Sequence, residues 1–107
     1  MRRDYHFASN SFSLGTTYYK ISKYRKAIKY YSESLTVFIE LRSRQGEGAS
    51  LGNLGIVYDV LGDAPKAITL YEQAICILRE IGDRKGESVN RRNMGSCLLY
   101  TSDAADE

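Results

Sequence analysis

Histidine, cysteine and proline are all scarce in this 107-residue chain, and each scarcity removes a class of function. The one histidine, His6, has no cysteine or serine set beside it as a nucleophile, so a surface histidine is expected. The two cysteines, Cys76 and Cys97, make no disulfide framework, and their spacing fits no metal site. They read as small apolar residues in a reducing cytosol. A single proline in an otherwise helix-friendly composition points to the all-α class. No apolar run approaches the length of a membrane span, and the charged start Met1–His6 has no apolar segment behind it, as a secretory signal would need. The expectation is a soluble, cytoplasmic protein. The glycine-rich phosphate-cradling motifs are missing too, so no catalytic residue, metal or cofactor is assigned and the chain reads as a non-enzyme.

The charge is nearly balanced, with 15 basic and 13 acidic residues, which gives no general attraction to nucleic acid. It is unevenly placed: residues 1–53 carry nine basic and four acidic groups, residues 54–107 six and nine. At this length, with 43% hydrophobic residues, there is room for one compact domain.

What the chain does contain is a copy of itself. Leu14-Gly15 recurs as Leu54-Gly55 and as Met94-Gly95, a fixed offset of 40 residues. Tyr18 matches Tyr58, Lys26-Ala27-Ile28 matches Lys66-Ala67-Ile68, and Tyr31 matches Tyr71. Self-similarity at a period in this range signals a repeat architecture. The reading is repeat 1 over 8–47, repeat 2 over 48–87 and a partial repeat 3 over 88–98. Residues 1–7 are taken as an irregular N-terminus and 99–107 as a non-repeat tail.

Within each repeat the apolar residues recur at helical steps. From Tyr24 they run Ala27, Ile28, Tyr31, Leu35, Phe38 and Leu41, one face of a helix of about five turns. Ser22 reads as the N-cap of that helix, and Ser43–Gly46 as a break before a helix opened by Glu47. Gly62 suits a left-handed C-terminal position, with Asp63 capping the helix that contains Pro65. A further helix is expected from near Gly86. Gly55 reads as a place where a side chain would block a neighbouring helix. The result is about two and a half antiparallel helix-turn-helix units stacked side by side, each covering its neighbour's apolar face.

Taken together, Leu54-Gly55, Tyr58, Gly62-Asp63, Ala67, Tyr71 and Ala74 resemble the tetratricopeptide repeat (TPR) signature, with Leu14, Gly15, Tyr18, Ala27, Tyr31 and Gly95 matching it in the flanking copies. The forty-residue spacing resembles the longer subclass found in Pins-type polarity scaffolds and microbial TPR regulators. The resemblance implies a right-handed superhelix, an α-solenoid. Repeat 1 departs from it at Ser11, Ser22 and Ser34, which suggests looser packing there. The ending from Leu98 lacks the expected second helix and resembles translated sequencing-adapter read-through; a native acidic tail is the other reading. On either, the chain is expected to be a fragment of a longer array.

In such stacks the first helices of the repeats line a concave wall. The positions that face it here are Phe12, Thr16, Tyr19 and Lys20, then Ala49, Gly52, Ile56, Asp59 and Val60, then Val89, Arg92 and Ser96. Asn53 and Asn93 lie nearby, and asparagine at such positions in related grooves holds an extended peptide by its backbone. Solvated helix residues or inter-helix hydrogen bonds account for both equally well. Arg92, beside Arg91, reads more simply as a surface charge than as a carboxylate partner. The candidate partner-binding residues are therefore Tyr19, Lys20, Asn53, Ile56, Asp59, Arg92 and Asn93. The lysine–asparagine set that clamps a chaperone C-terminus is not reproduced, since Phe12 and Thr16 stand where its first pair belongs.

The tyrosines 18, 31, 58 and 71 fall on packing positions and read as core rather than as a base-stacking surface. Lys20, Lys23, Arg25, Lys26 and Lys29 form a basic group with no match in repeat 2, and a solvated face explains it. Three functions fit these residues. The first is a protein–protein interaction module holding a peptide segment of another protein. The second is the sensor or scaffold part of a larger signalling protein. The third, least supported, is a nucleic-acid binder. Self-association through uncovered terminal repeats is also expected.

Overall fold

The computed structural model describes residues 3–105, with side-chain surroundings as far as Leu99. Among the described residues five helices follow one another: α1 Tyr5–Lys20, α2 Tyr24–Glu40, α3 Arg44–Val60, α4 Ala64–Glu80 and α5 Arg84–Ala105. Each packs on the next, and α5 also touches α3, so the first helices of successive hairpins lie on one side of the stack. The body measures 51 × 32 × 18 Å. No described helix is long and apolar enough to cross a membrane.

One turn is used four times. At each, the chain enters the left-handed region, at Ser22 (φ 62°), Arg42 (59°), Gly62 (87°) and Gly82 (78°). The next residue's N–H returns to a carbonyl five residues back: Lys23 to Tyr18 at 2.8 Å, Ser43 to Phe38 at 2.9 Å, Asp63 to Tyr58 at 2.9 Å and Asp83 to Leu78 at 2.8 Å. This is the Schellman ending, which satisfies carbonyls the helix leaves unpaired.

The recurrence corrects the reading of Ser22. It is the left-handed residue that ends α1, not the N-cap of α2; that position is held by Lys23, whose side chain makes no cap. It also moves the break between the first two hairpins. Arg42 ends α2, Ser43 caps α3 by accepting from the Gly46 N–H at 3.2 Å, and Arg44–Gly46 are already helical. The hairpin seam therefore falls at Ser43, a few residues before the boundary set at 47/48. Tyr5–Phe7 are likewise helical, because Asp4 accepts from the Phe7 N–H at 3.1 Å and Tyr5 sets its ring edge-on to Phe38. At the other end α5 runs on through Ala105 without a turn near Leu98.

Arginine at a left-handed position is strained, whereas glycine is not. Arg42→Gly is expected to stabilise the fold by about 0.5–1 kcal/mol, raising the melting temperature by a few degrees. Circular-dichroism melting checks this, and an unchanged or lower midpoint would count against it.

The core is a series of repeat-equivalent interlocks. A β-carbon built on Gly15 would sit 2.7 Å from the Tyr31 ring, and one on Gly55 2.7 Å from the Tyr71 ring. The ring of one helix thus lies flush on the backbone of the other, as the reading of Gly55 required. Ala27, Ala67 and Ala74 are fully buried between the helices. Ser34 does not loosen repeat 1: fully buried, it donates to the Tyr31 carbonyl at 2.8 Å and meets Ser50 Oγ at 3.0 Å. Ser11 is buried as well and donates to Glu33 at 2.7 Å. Leu14 departs from its counterpart Leu54, being 42% exposed against 4%, because α2 covers α3 whereas α1 packs chiefly on α2 alone.

Candidate functional site

Helices α1, α3 and α5 present two adjoining hollows. The first, about 240 Å³, lies between α1 and α3 and is lined by Thr16, Tyr19, Lys20, Tyr31, Asn53 and Ile56. The second, about 140 Å³, lies between α3 and α5, and its wall includes Gln45, Asn53, Ile56, Asp83, Asn90 and Asn93. Asn53 and Ile56 border both, so the two form one surface divided by a ridge on α3.

Local sequence explains the ridge. Gly52 lets α5 come close; a β-carbon there would lie 2.6 Å from Asn90 Oδ1. Asn53 and Ile56, both half-buried, are then the side chains left to stand between the hollows. On the α1 side the wall is backed by packed aromatics. Tyr19 leans on Tyr24 with centroids 5.8 Å apart, and Phe12 meets Tyr31 edge-on at 5.4 Å. The Tyr31 hydroxyl is 2.7 Å from Thr16 Oγ1, and burial pushes its pKa up, partly offset by hydrogen bonds to Thr16 and Asn53.

Of the candidate residues, Tyr19, Lys20, Asn53, Ile56 and Asn93 come together on these hollows. Arg92 is exposed and lines neither. Asp59 is exposed and lines neither as well, but its carboxylate acts on two buried groups behind it. Burial raises the pKa of Tyr71, with Asp59 adding to the effect. Burial likewise pushes the Cys97 thiol up to about 11, again reinforced by Asp59. Phe12 belongs to the packing rather than to the open wall. Gln45, Asp83 and Asn90 were not among the candidates. The signal for Asn90 was in the repeat itself: it falls forty residues after Ser50, and both are buried polar residues on the first helix of a hairpin.

A stack of helical hairpins with an open face formed by the first helix of each defines an α-solenoid. A family model described as tetratricopeptide repeat matches residues 6–80, and the chain belongs to that family. Its members are generally non-catalytic modules of protein–protein interaction. None of the curated proteins compared with the chain matches it.

Proposed function

We propose that the surface shared by α1, α3 and α5 holds a segment of another protein, which makes the chain a peptide-binding scaffold. The observation that carries this is the pair of adjoining hollows divided by Asn53 and Ile56. The α1–α3 hollow, walled by Tyr19, Tyr31 and Ile56, suits an apolar side chain. Asn53 and Asn93 each offer a donor and an acceptor to a peptide backbone beside it. Lys20 at the rim would set orientation more than affinity.

The test uses a peptide selected from a random display library against the purified protein. Ile56→Lys is expected to weaken its binding about tenfold or more, equivalent to roughly 1.4 kcal/mol. Gln73→Lys, on the exposed side of α4, is expected to leave it unchanged. Equal losses from the two variants, or none from either, would refute the groove. The nucleic-acid reading gains no support. Lys26 lies over the Tyr18 ring and Lys29 over the Tyr30 ring, and those two rings stack on each other at 5.4 Å, so the faces a base would need are occupied.

A further inference from the structure

Resting on that reading, we propose that the hollow between α3 and α5 receives the cationic head of an arginine or lysine side chain on the bound segment. Asn90 is the first reason. It is only 8% exposed and donates Nδ2 to the Gly86 carbonyl at 2.8 Å, which fixes the direction of its amide. Its Oδ1 then points at Gly52, with no side chain between them. That oxygen accepts no hydrogen bond among the described residues, yet no enclosed side-chain oxygen there lacks a partner, so Oδ1 keeps some contact with solvent, and Asn90 and Gly52 both line the hollow.

Asp83 is the second reason. Its Oδ1 accepts from the Gly86 N–H at 2.9 Å and its Oδ2 from Gln45 at 3.2 Å. Those bonds hold the carboxyl below its usual range, so it is charged at neutral pH. Neighbouring carboxylates are already engaged: Glu47 and Glu80 by Arg44, Glu87 by Arg79 and Arg91. Asp83 makes no ion pair among the described residues, and it lines the same hollow as Asn90.

The site therefore offers a charge, a fixed carbonyl and the amides of Asn53 and Asn93, with acceptors outnumbering fixed donors. An anionic group would meet Asp83. An apolar one would strip water from Asp83 and Asn90 without replacing its hydrogen bonds, which costs more than it gains. A guanidinium or ammonium supplies the donors and the opposite charge together. Gly52 is integral to this arrangement, since any side chain there would press on Asn90 Oδ1.

Titration of isotope-labelled protein with Nα-acetyl-arginine amide, followed by NMR, tests the assignment. The side-chain amide signals of Asn90, Asn93 and Gln45 are expected to shift saturably, and the corresponding glutamate and norleucine amides to leave them in place. Asp83→Asn keeps a capping side chain for α5 while removing the charge, and is expected to weaken arginine binding by about threefold to fivefold. Asp83→Ser, also a good cap, is expected to act alike should the asparagine variant melt early. Shifts of equal size from the glutamate or norleucine probe, or arginine binding untouched by both variants, would overturn the proposal. An inert arginine probe alongside a peptide still lost on Ile56→Lys would sink this pocket and leave the groove standing.

Discussion

Replacing Tyr71 by alanine is expected to cost about 3–5 kcal/mol of folding stability, the range for deleting a large buried aromatic. Its ring is 1% exposed and belongs to the cluster with Ala67 and Cys97, joined by Ile56, Tyr58, Ile68 and Met94 at its edge. Those residues come from α3, α4 and α5, so one side chain ties the second hairpin to the helix that follows. Ile56, Ile68 and Met94 at its edge can refill only part of the cavity left behind, so most of the loss remains. A domain of this size has about 5–15 kcal/mol in all, so the variant should unfold at a much lower urea concentration. Equilibrium urea unfolding measures it; a loss under about 1.5 kcal/mol would mean that Tyr71 is not the wedge described. Tyr71→Phe, which keeps the ring, is the control for loss of the hydroxyl alone.

The second large effect is at the surface on which that ring rests. Alanine ordinarily stabilises a helix by about 1 kcal/mol relative to glycine, and the reverse is expected for Gly55→Ala. The new methyl would lie 2.7 Å from a ring that is itself walled in. Overpacking of this kind costs about 1–3 kcal/mol, so it outweighs the helical gain. Gly95 occupies the same place in its helix, with nothing within 4 Å of a built β-carbon; there Gly95→Ala should show the ordinary gain. Combining Gly55→Ala with Tyr71→Ala should abolish the penalty, since the methyl then enters space the ring has vacated. A coupling free energy near zero in that double-mutant cycle would disprove the interlock.

The interlock shows how far the residues alone could lead. Glycine at 15, 55 and 95, set against tyrosine at 31 and 71, repeats so evenly that the fold and its packing could be read from spacing. Turns were harder. Ser22 looked like a cap because serine favours that role, and what overrode it was the length of chain available between α1 and α2. The same left-handed residue is needed there as at Gly62, whatever its identity. Arg42 was hidden for the same reason, and only the even recurrence at 22, 42, 62 and 82 could have exposed it. Helical geometry supplied Tyr19 and Ile56, and the resemblance to related grooves supplied Asn53 and Asn93; the four lie on one surface. Arg92 failed to join them because a helical residue's neighbours depend on where the next helix crosses, and periodicity does not carry that. Asp83 lies in a turn, and its carboxylate is tied to α3 because Gln45, thirty-eight residues earlier, reaches it.

Using one Schellman turn both inside each hairpin and between hairpins has a genetic consequence. The chain arrives at Arg44 and at Arg84 after a left-handed residue, from a capping residue held by the same backbone bond. A duplicated block spanning residues 44–83 would thus meet its neighbours through joints the molecule already makes. Unequal recombination could lengthen or shorten such an array in whole hairpins without having to invent a connection, and each added block would extend the grip by one more ridge.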